Sequence, residues 1–275
     1  MAEIIVALDV QTRAEAVATV TEIGDAVGFY KIGLELFTAE GPDVVKAVKD
    51  LGKKVFLDLK FHDIPRTVER SVRSGGKLGV DLMTIHSVGG KAMIRAAADA
   101  AAEFGAAAPK ILAVTVLTSL DQTDLQDVGI VGRTPAEQVM AMAKFATENG
   151  ANGLKILAVT VLTSLDQSDL ADVGIVGRTP AEQVMAMAKF ATENGAHGLV
   201  CSPKEVGALS KALKAGTLFI TPGVRPAGAA VGDQKRVATP ADAVRDGATH
   251  LVVGRPILAA PDPVAAAKEI LASLV

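Results

Sequence analysis

Residues 110–154 of this 275-residue chain recur almost unchanged as residues 155–199. The copies differ only at Thr123/Ser168, Gln126/Ala171 and Asn152/His197. A solenoid carries three or more diverged repeats, so two near-identical copies instead mark a recent or engineered duplication of one structural unit. Each copy opens on the apolar, β-branched run KILAVTVL and passes through a polar loop. It then enters an Ala- and Met-rich segment behind Thr134-Pro135 or Thr179-Pro180, an N-cap and N1 proline of the kind that starts a helix. The duplicated unit is therefore strand, loop, helix.

The rest of the chain repeats that alternation without the sequence identity. Short apolar runs predict strands at 4–8, 29–33, 54–59, 82–86, 111–117, 156–162, 198–201, 218–221 and 250–253. Helical periodicity lies between them, as at 12–20, 67–77, 91–103, 135–149, 180–194 and 263–274. Taking one 45-residue copy from 275 leaves 230 residues and eight strands, the number that closes a (β/α)8 TIM barrel. The hydrophobic fraction, 49%, is mostly aliphatic, with one Tyr and no Trp, as suits buried parallel strands under Ala-rich helices. No linker divides the chain, so residues 1–275 are expected to form one α/β domain. Strand number, tilt and shear must agree for a barrel to close, so the duplicated unit is expected outside the closed barrel, looped out on its N-terminal face. Copy one emerges first in synthesis and is expected to take the fifth-strand position.

Bulk properties exclude several classes of function. A net charge of −3 and a pI near 5.9, with no long basic run, give no pull towards nucleic acid or an anionic membrane. The opening MAEIIVALDV lacks a basic n-region and reads as a strand, and no apolar stretch is long enough to span a bilayer. Cys201 is the single cysteine, which fits a reducing compartment and a small buried side chain. A cytoplasmic protein is expected.

In a parallel barrel the chemistry sits where strands end and βα loops begin. Asp9 ends the first strand, Lys31 lies in the second, and the third runs FLDLKFHDIP with Asp58 and Lys60 two residues apart. Alternation would turn Asp58 and Lys60 to the same side, towards the barrel mouth. Isolated charges in an apolar strand cost several kcal/mol unless paired. Four charges of alternating sign on three successive strand ends therefore point to a working array, although mutual neutralisation alone is the plainer reading of any single pair. Carboxylates beside a lysine favour its ammonium form, the state a proton donor needs. A second group follows the last two strands, where barrels often hold phosphate: Arg225 behind Thr221-Pro222-Gly223, and Arg255 behind Val253-Gly254.

The string FLDLKFHDIPRT resembles the D-x-K-x-x-D-I signature of the orotidine 5′-monophosphate decarboxylases, at Asp58, Lys60, Asp63 and Ile64. The flanking ALDV, YKIG, TIHS, VTVLTS, PGVRP, GDQKR and VVGRPI resemble the bacterial branch, in order, from residue 4 to about residue 274. Only the extra copy departs from the pattern. The resemblance implies decarboxylation of a pyrimidine nucleotide without metal or organic cofactor, in a homodimer. Lys60 is then the proton donor to C6, Asp58 lies beside the reacting carboxylate, and Lys31 and Asp9 hold the ribose. Asp63 is supplied across the dimer interface. Arg225, Gln234, Gly254 and Arg255 take the phosphate, Thr67 lies on the substrate, and Thr118, or its copy Thr163, contacts the pyrimidine.

Other features add no competing site. His62, His86, His197 and His250 lack zinc-ligand spacing, with His86 expected to sit just behind the site, and neither a P-loop nor a dinucleotide fingerprint occurs. Gly89-Gly90 reads as a turn into the next helix. Two rivals stay open at this level: a magnesium-dependent sugar-phosphate decarboxylase or aldolase of the same superfamily, and a scaffold inactivated by the duplication.

Overall fold

The computed structural model describes residues 2–115, 157–159, 179–193, 198–226 and 237–274, with four residue pairs at 126–127, 131–132, 137–138 and 141–142. The predicted helix 135–149, Thr118, Thr163 and Gln234 lie outside the described residues, wholly or in most part.

Strands and helices alternate as the apolar pattern requires. In order they are β1 (Glu3–Ala7), α1 (Arg13–Ile23), β2 (Phe29–Gly33), α2 (Leu34–Glu40), α3 (Pro42–Asp50), β3 (Lys54–Phe61), α4 (Pro65–Lys77), β4 (Leu82–His86), α5 (Gly90–Ala102) and β5 (Lys110–Val114). There follow β6 (Leu157–Val159), α6 (Pro180–Glu193), β7 (Gly198–Val200), α7 (Val206–Ala212), β8 (Leu218–Pro222), α8 (Pro240–Arg245), β9 (His250–Val253), α9 (Arg255–Leu258) and α10 (Pro263–Ala272). Helix starts obey local chemistry. Thr12 and Glu15 form a capping box on α1, Thr179 and Glu182 form another around Pro180, and Thr239 and Asp262 cap α8 and α10 ahead of prolines. Gly90, at φ 83°, makes the turn into α5. No helix among the described residues is long and apolar enough to cross a membrane.

All strand pairs are parallel, in the order β5-β4-β3-β2-β1-β9-β8-β7-β6. This is the curled parallel sheet of a (β/α)8 barrel, with one strand more than the eight expected. The described strand residues of both copies, Lys110–Val114 and Leu157–Val159, lie in the sheet, which corrects the expectation that one copy's strand stands outside it. Leu157-Ala158-Val159 is the copy of Leu112-Ala113-Val114; copy one pairs with β4 and copy two with β7. Residues of β5 and β6 approach within 8 Å, Cα to Cα, yet no ladder joins them among the described residues. The physical reason is edge satisfaction. A strand left outside would strand its own backbone groups and also expose an apolar edge of β7. With two identical strands available, each free edge takes one, and among the described residues a seam lies between them where a single fifth strand would close the sheet.

Side chains alternate across the sheet. Ile4, Val6 and Leu8 pack outward with Tyr30, Ile32, Val55, Leu57, Met83 and Ile85 beneath the helices. Ile5, Phe29, Phe56, Leu112 and Ile220 point inward as a separate apolar layer towards the N-terminal end. Where α4 crosses the sheet, a Cβ on Gly75 would run into Met83 and one on Gly76 into Phe104, so the two glycines set how closely α4 packs.

Candidate active site

The charged residues lie on the inward lines of the strands, one step above the apolar layer. Phe29 points inward, so Lys31 does too; Phe56 places Asp58, and Leu82 places Thr84 and then His86. Asp9 comes just beyond the end of β1.

Two ion pairs form. Lys31 Nζ lies 3.4 Å from Asp9 Oδ1, with side-chain exposures of 17% and 66%. Lys60 Nζ lies 2.9 Å from Asp58 Oδ1, at 39% and 18%. A Cβ on Gly33 would come to 3.3 Å from Lys31 Nζ, so glycine there leaves room for the ammonium group.

The Asp58–Lys60 pair is not assembled by strand alternation. Leu57 pairs with Met83, but the next pair is Phe61 with Ile85, so β3 spends two residues more than β4 across this stretch. Lys60 takes φ 52°, the one positive φ outside glycine among the described residues. That conformation costs an L-residue about 1–2 kcal/mol, and strain of this kind gathers at functional sites. The bulge turns the Lys60 amide to Thr84 Oγ1 at 2.8 Å, and Thr84 Oγ1 in turn donates to Asp58 Oδ1 at 3.0 Å. Thr84 is buried and was not singled out from the sequence. The available signal was its being the one hydroxyl on the inward line of LMTIH.

His86 stands above Thr84, its ring centroid 5.5 Å from that of His62. Burial first, then the charges of His62 and Lys60, lower its pKa below the usual imidazole value against an opposing pull from Asp58. Asp63 is exposed and joins neither ion pair; its Oδ1 accepts from the Ile64 amide at 2.7 Å. Thr67 is exposed on the first turn of α4.

The two arginine loops reach the same mouth from β8 and β9. Gly223, at φ 78°, turns the chain out of β8, and the Arg225 amide donates to Ala238 O at 3.0 Å. The Arg225 side chain is buried and donates to Val224 O. Arg255 is exposed at the start of α9. An ideal Cβ on Gly254 would stand 3.6 Å from Asp9 Oδ2, which places the β9 loop directly against the charged array.

This geometry has counterparts among known proteins. The model of the orotidine 5′-phosphate decarboxylase / HUMPS family matches residues 2–155 and again residues 134–270. Orotidine 5′-phosphate decarboxylase of Moorella thermoacetica is 44% identical over 277 aligned positions, covering 99% of this chain and 92% of its own. The enzyme of that name from Anaeromyxobacter sp. strain K is 44% identical, covering 98% and 96%. The crystal structure of orotidine 5′-phosphate decarboxylase from Lactobacillus acidophilus superposes with a TM-score of 0.67 at 33% identity, covering 100% of this chain and 99% of that one. The two matched stretches overlap across the end of copy one, as a duplicated unit inside a single member requires, and the chain belongs to the orotidine 5′-phosphate decarboxylase / HUMPS family.

Proposed function

We propose that the chain converts orotidine 5′-monophosphate to uridine 5′-monophosphate and carbon dioxide, as the reaction of a cytoplasmic enzyme of pyrimidine synthesis. The observation that carries the reading is the placement of Asp9–Lys31 and Asp58–Lys60 on three adjacent strand ends at one mouth of the barrel. In the reaction the bond from C6 to the carboxylate breaks and its electron pair stays on C6. Lys60 stabilises that charge as a preformed cation and then passes a proton to C6, regaining one from solvent. Asp58 holds the Lys60 ammonium and crowds the departing carboxylate. Lys31 and Asp9 bind the ribose hydroxyls. Arg225, Gln234, Gly254 and Arg255 bind the phosphate, and Thr67 and Thr118 lie on the substrate. No step of this chemistry calls for a metal or organic cofactor.

The working form is a homodimer in which Asp63 serves the neighbouring site. Its support is that Leu34, Ile64 and Val88, which follow β2, β3 and β4, are exposed large apolar side chains close to the mouth. The decisive assay is formation of uridine monophosphate by the purified chain, with and without a strong chelator. Turnover that survives chelation supports the proposal; turnover of a sugar phosphate that stops on chelation would give the magnesium-dependent branch instead. Mixing inactive Lys60→Ala and Asp63→Ala subunits should restore one site per heterodimer, and no recovery in proven heterodimers rejects a shared site.

A further inference from the structure

Thr84 has no part in the reaction as just described, yet it bonds to both members of the Asp58–Lys60 pair. Its hydroxyl accepts from the Lys60 amide at 2.8 Å and donates to Asp58 Oδ1 at 3.0 Å, while Lys60 Nζ reaches the same carboxylate oxygen at 2.9 Å. The three contacts close a ring of backbone amide, hydroxyl, carboxylate and ammonium. A hydroxyl has one proton and two lone pairs, so this one fixes its direction by accepting on the Lys60 side and donating on the Asp58 side. Thr84 is 3% exposed and sits on β4, whose flanking residues Met83 and Ile85 are fully buried, so its position is set by core packing. The Lys60 amide, by contrast, has been taken out of regular β3–β4 pairing by the bulge and by its φ of 52°.

We infer that Thr84 is a positioning residue that holds Lys60 in its left-handed conformation and Asp58 in its rotamer, so that the ammonium group stands where the proton is delivered. The inference rests on the reading of Lys60 as proton donor. Its chemistry requires a hydroxyl at this place, one able to donate and accept at once. A methyl group cannot do either, and the part-buried Lys60 amide, deprived of its acceptor, would loosen the bulge in β3. Misplacement of a reacting group by about 1 Å is enough to slow chemistry by about a hundredfold without touching substrate binding.

The test is a graded series at one position. Thr84→Val keeps the β-branch and removes the hydroxyl; Thr84→Ser keeps the hydroxyl; Thr84→Cys offers a weak donor of similar size. Thr84→Val should lower kcat by about thirtyfold, with KM for orotidine monophosphate and Kd for uridine monophosphate both within about twofold of wild type. Thr84→Ser should return to within about threefold of the wild-type kcat, and Thr84→Cys should fall between. If Thr84→Val does not fold, the Ser–Cys comparison carries the same contrast. Equal kcat across the series, or a loss shared by kcat, KM and Tm that serine does not restore, overturns the inference. Lys60→Ala separates the two levels: full activity in that variant removes the proton-donor reading itself. An inactive Lys60→Ala beside a fully active Thr84→Val removes only the role of Thr84.

Discussion

The array side of the sheet and the seam side meet opposite demands. On the array side, β1 to β4 place Asp9, Lys31, Asp58, Lys60 and Thr84 through continuous ladders and one bulge. On the seam side, β5 and β6 are copies of one strand, each paired on one edge only among the described residues. In strand order β1 is the fifth of nine, as far from either edge as the sheet allows. A duplication that adds a strand changes closure at the edges and leaves the middle registers alone. That is how an extra strand can enter a barrel without displacing Asp58 from its place opposite Gly33.

The sharpest way to set the two sides apart is to remove Lys60, the residue proposed as proton donor. On that proposal Lys60→Ala should lower kcat by at least about a thousandfold, because the cation that meets the developing charge is gone. Folding and binding of uridine monophosphate should persist, because Lys60 is partly exposed and outside the apolar core. A variant that kept more than a tenth of wild-type kcat would move the chemistry elsewhere.

Arg255 tests how far the array side extends along the sheet. Arg255→Ala should weaken binding of the phosphorylated substrate by about thirtyfold, the low end expected for a charged partner because this side chain is exposed without substrate. Substrate lacking the phosphate should respond by less than about twofold. An equal loss with both substrates would reject the proposed contact between Arg255 and the phosphate.

Deleting residues 155–199 tests the seam directly. The deletion joins Gly153-Leu154 to Val200 in place of Gly198-Leu199, so β7 is rebuilt and the single remaining strand copy can pair with β4 and with it together. The eight-stranded sheet should close, raising Tm by several degrees with kcat within about threefold of the parent. A lower Tm, or loss of activity, would show that the ninth strand has become part of the site's support.

Much of the array side was legible in the residues. Strand boundaries at 29–33, 82–86 and 250–253 agree with β2, β4 and β9, and Asp58 and Lys60 were set apart as charges in an apolar run. How they meet was not legible. Lysine carries no signal for a positive φ, so the bulge could not be foreseen, and alternation gave the right neighbours for the wrong reason. Thr84 escaped because threonine reads as an ordinary strand former. The seam was missed because closure of eight strands was treated as fixed, whereas an apolar strand beside a free edge pairs with it.

The smallest effect is a titration that loads the array side alone. His86 has its pKa lowered mainly by burial, with His62 and Lys60 adding to the shift, so the folded chain resists protonating it. The unfolded chain takes up that proton as pH falls through 6.5, the ordinary histidine value. Stability is therefore whole above pH 6.5, declines as pH drops below it, and stops declining once pH is under the folded pKa. His250, at the opposite end of the barrel, is shifted the same way, chiefly by burial, and adds a decline of the same sign. The lowered carboxyls of Glu69 and Glu103, held down by Arg73, begin to cost stability only as pH falls through about 4.5, so the two windows are distinct. Between pH 7.5 and 5.5 the Tm of the parent should fall slightly, His86→Asn should fall less, and His86→Asn with His250→Asn should be nearly flat. An unchanged slope in His86→Asn would mean that its imidazole is free to take up the proton where it stands, leaving Lys60 and His62 without electrostatic hold on it.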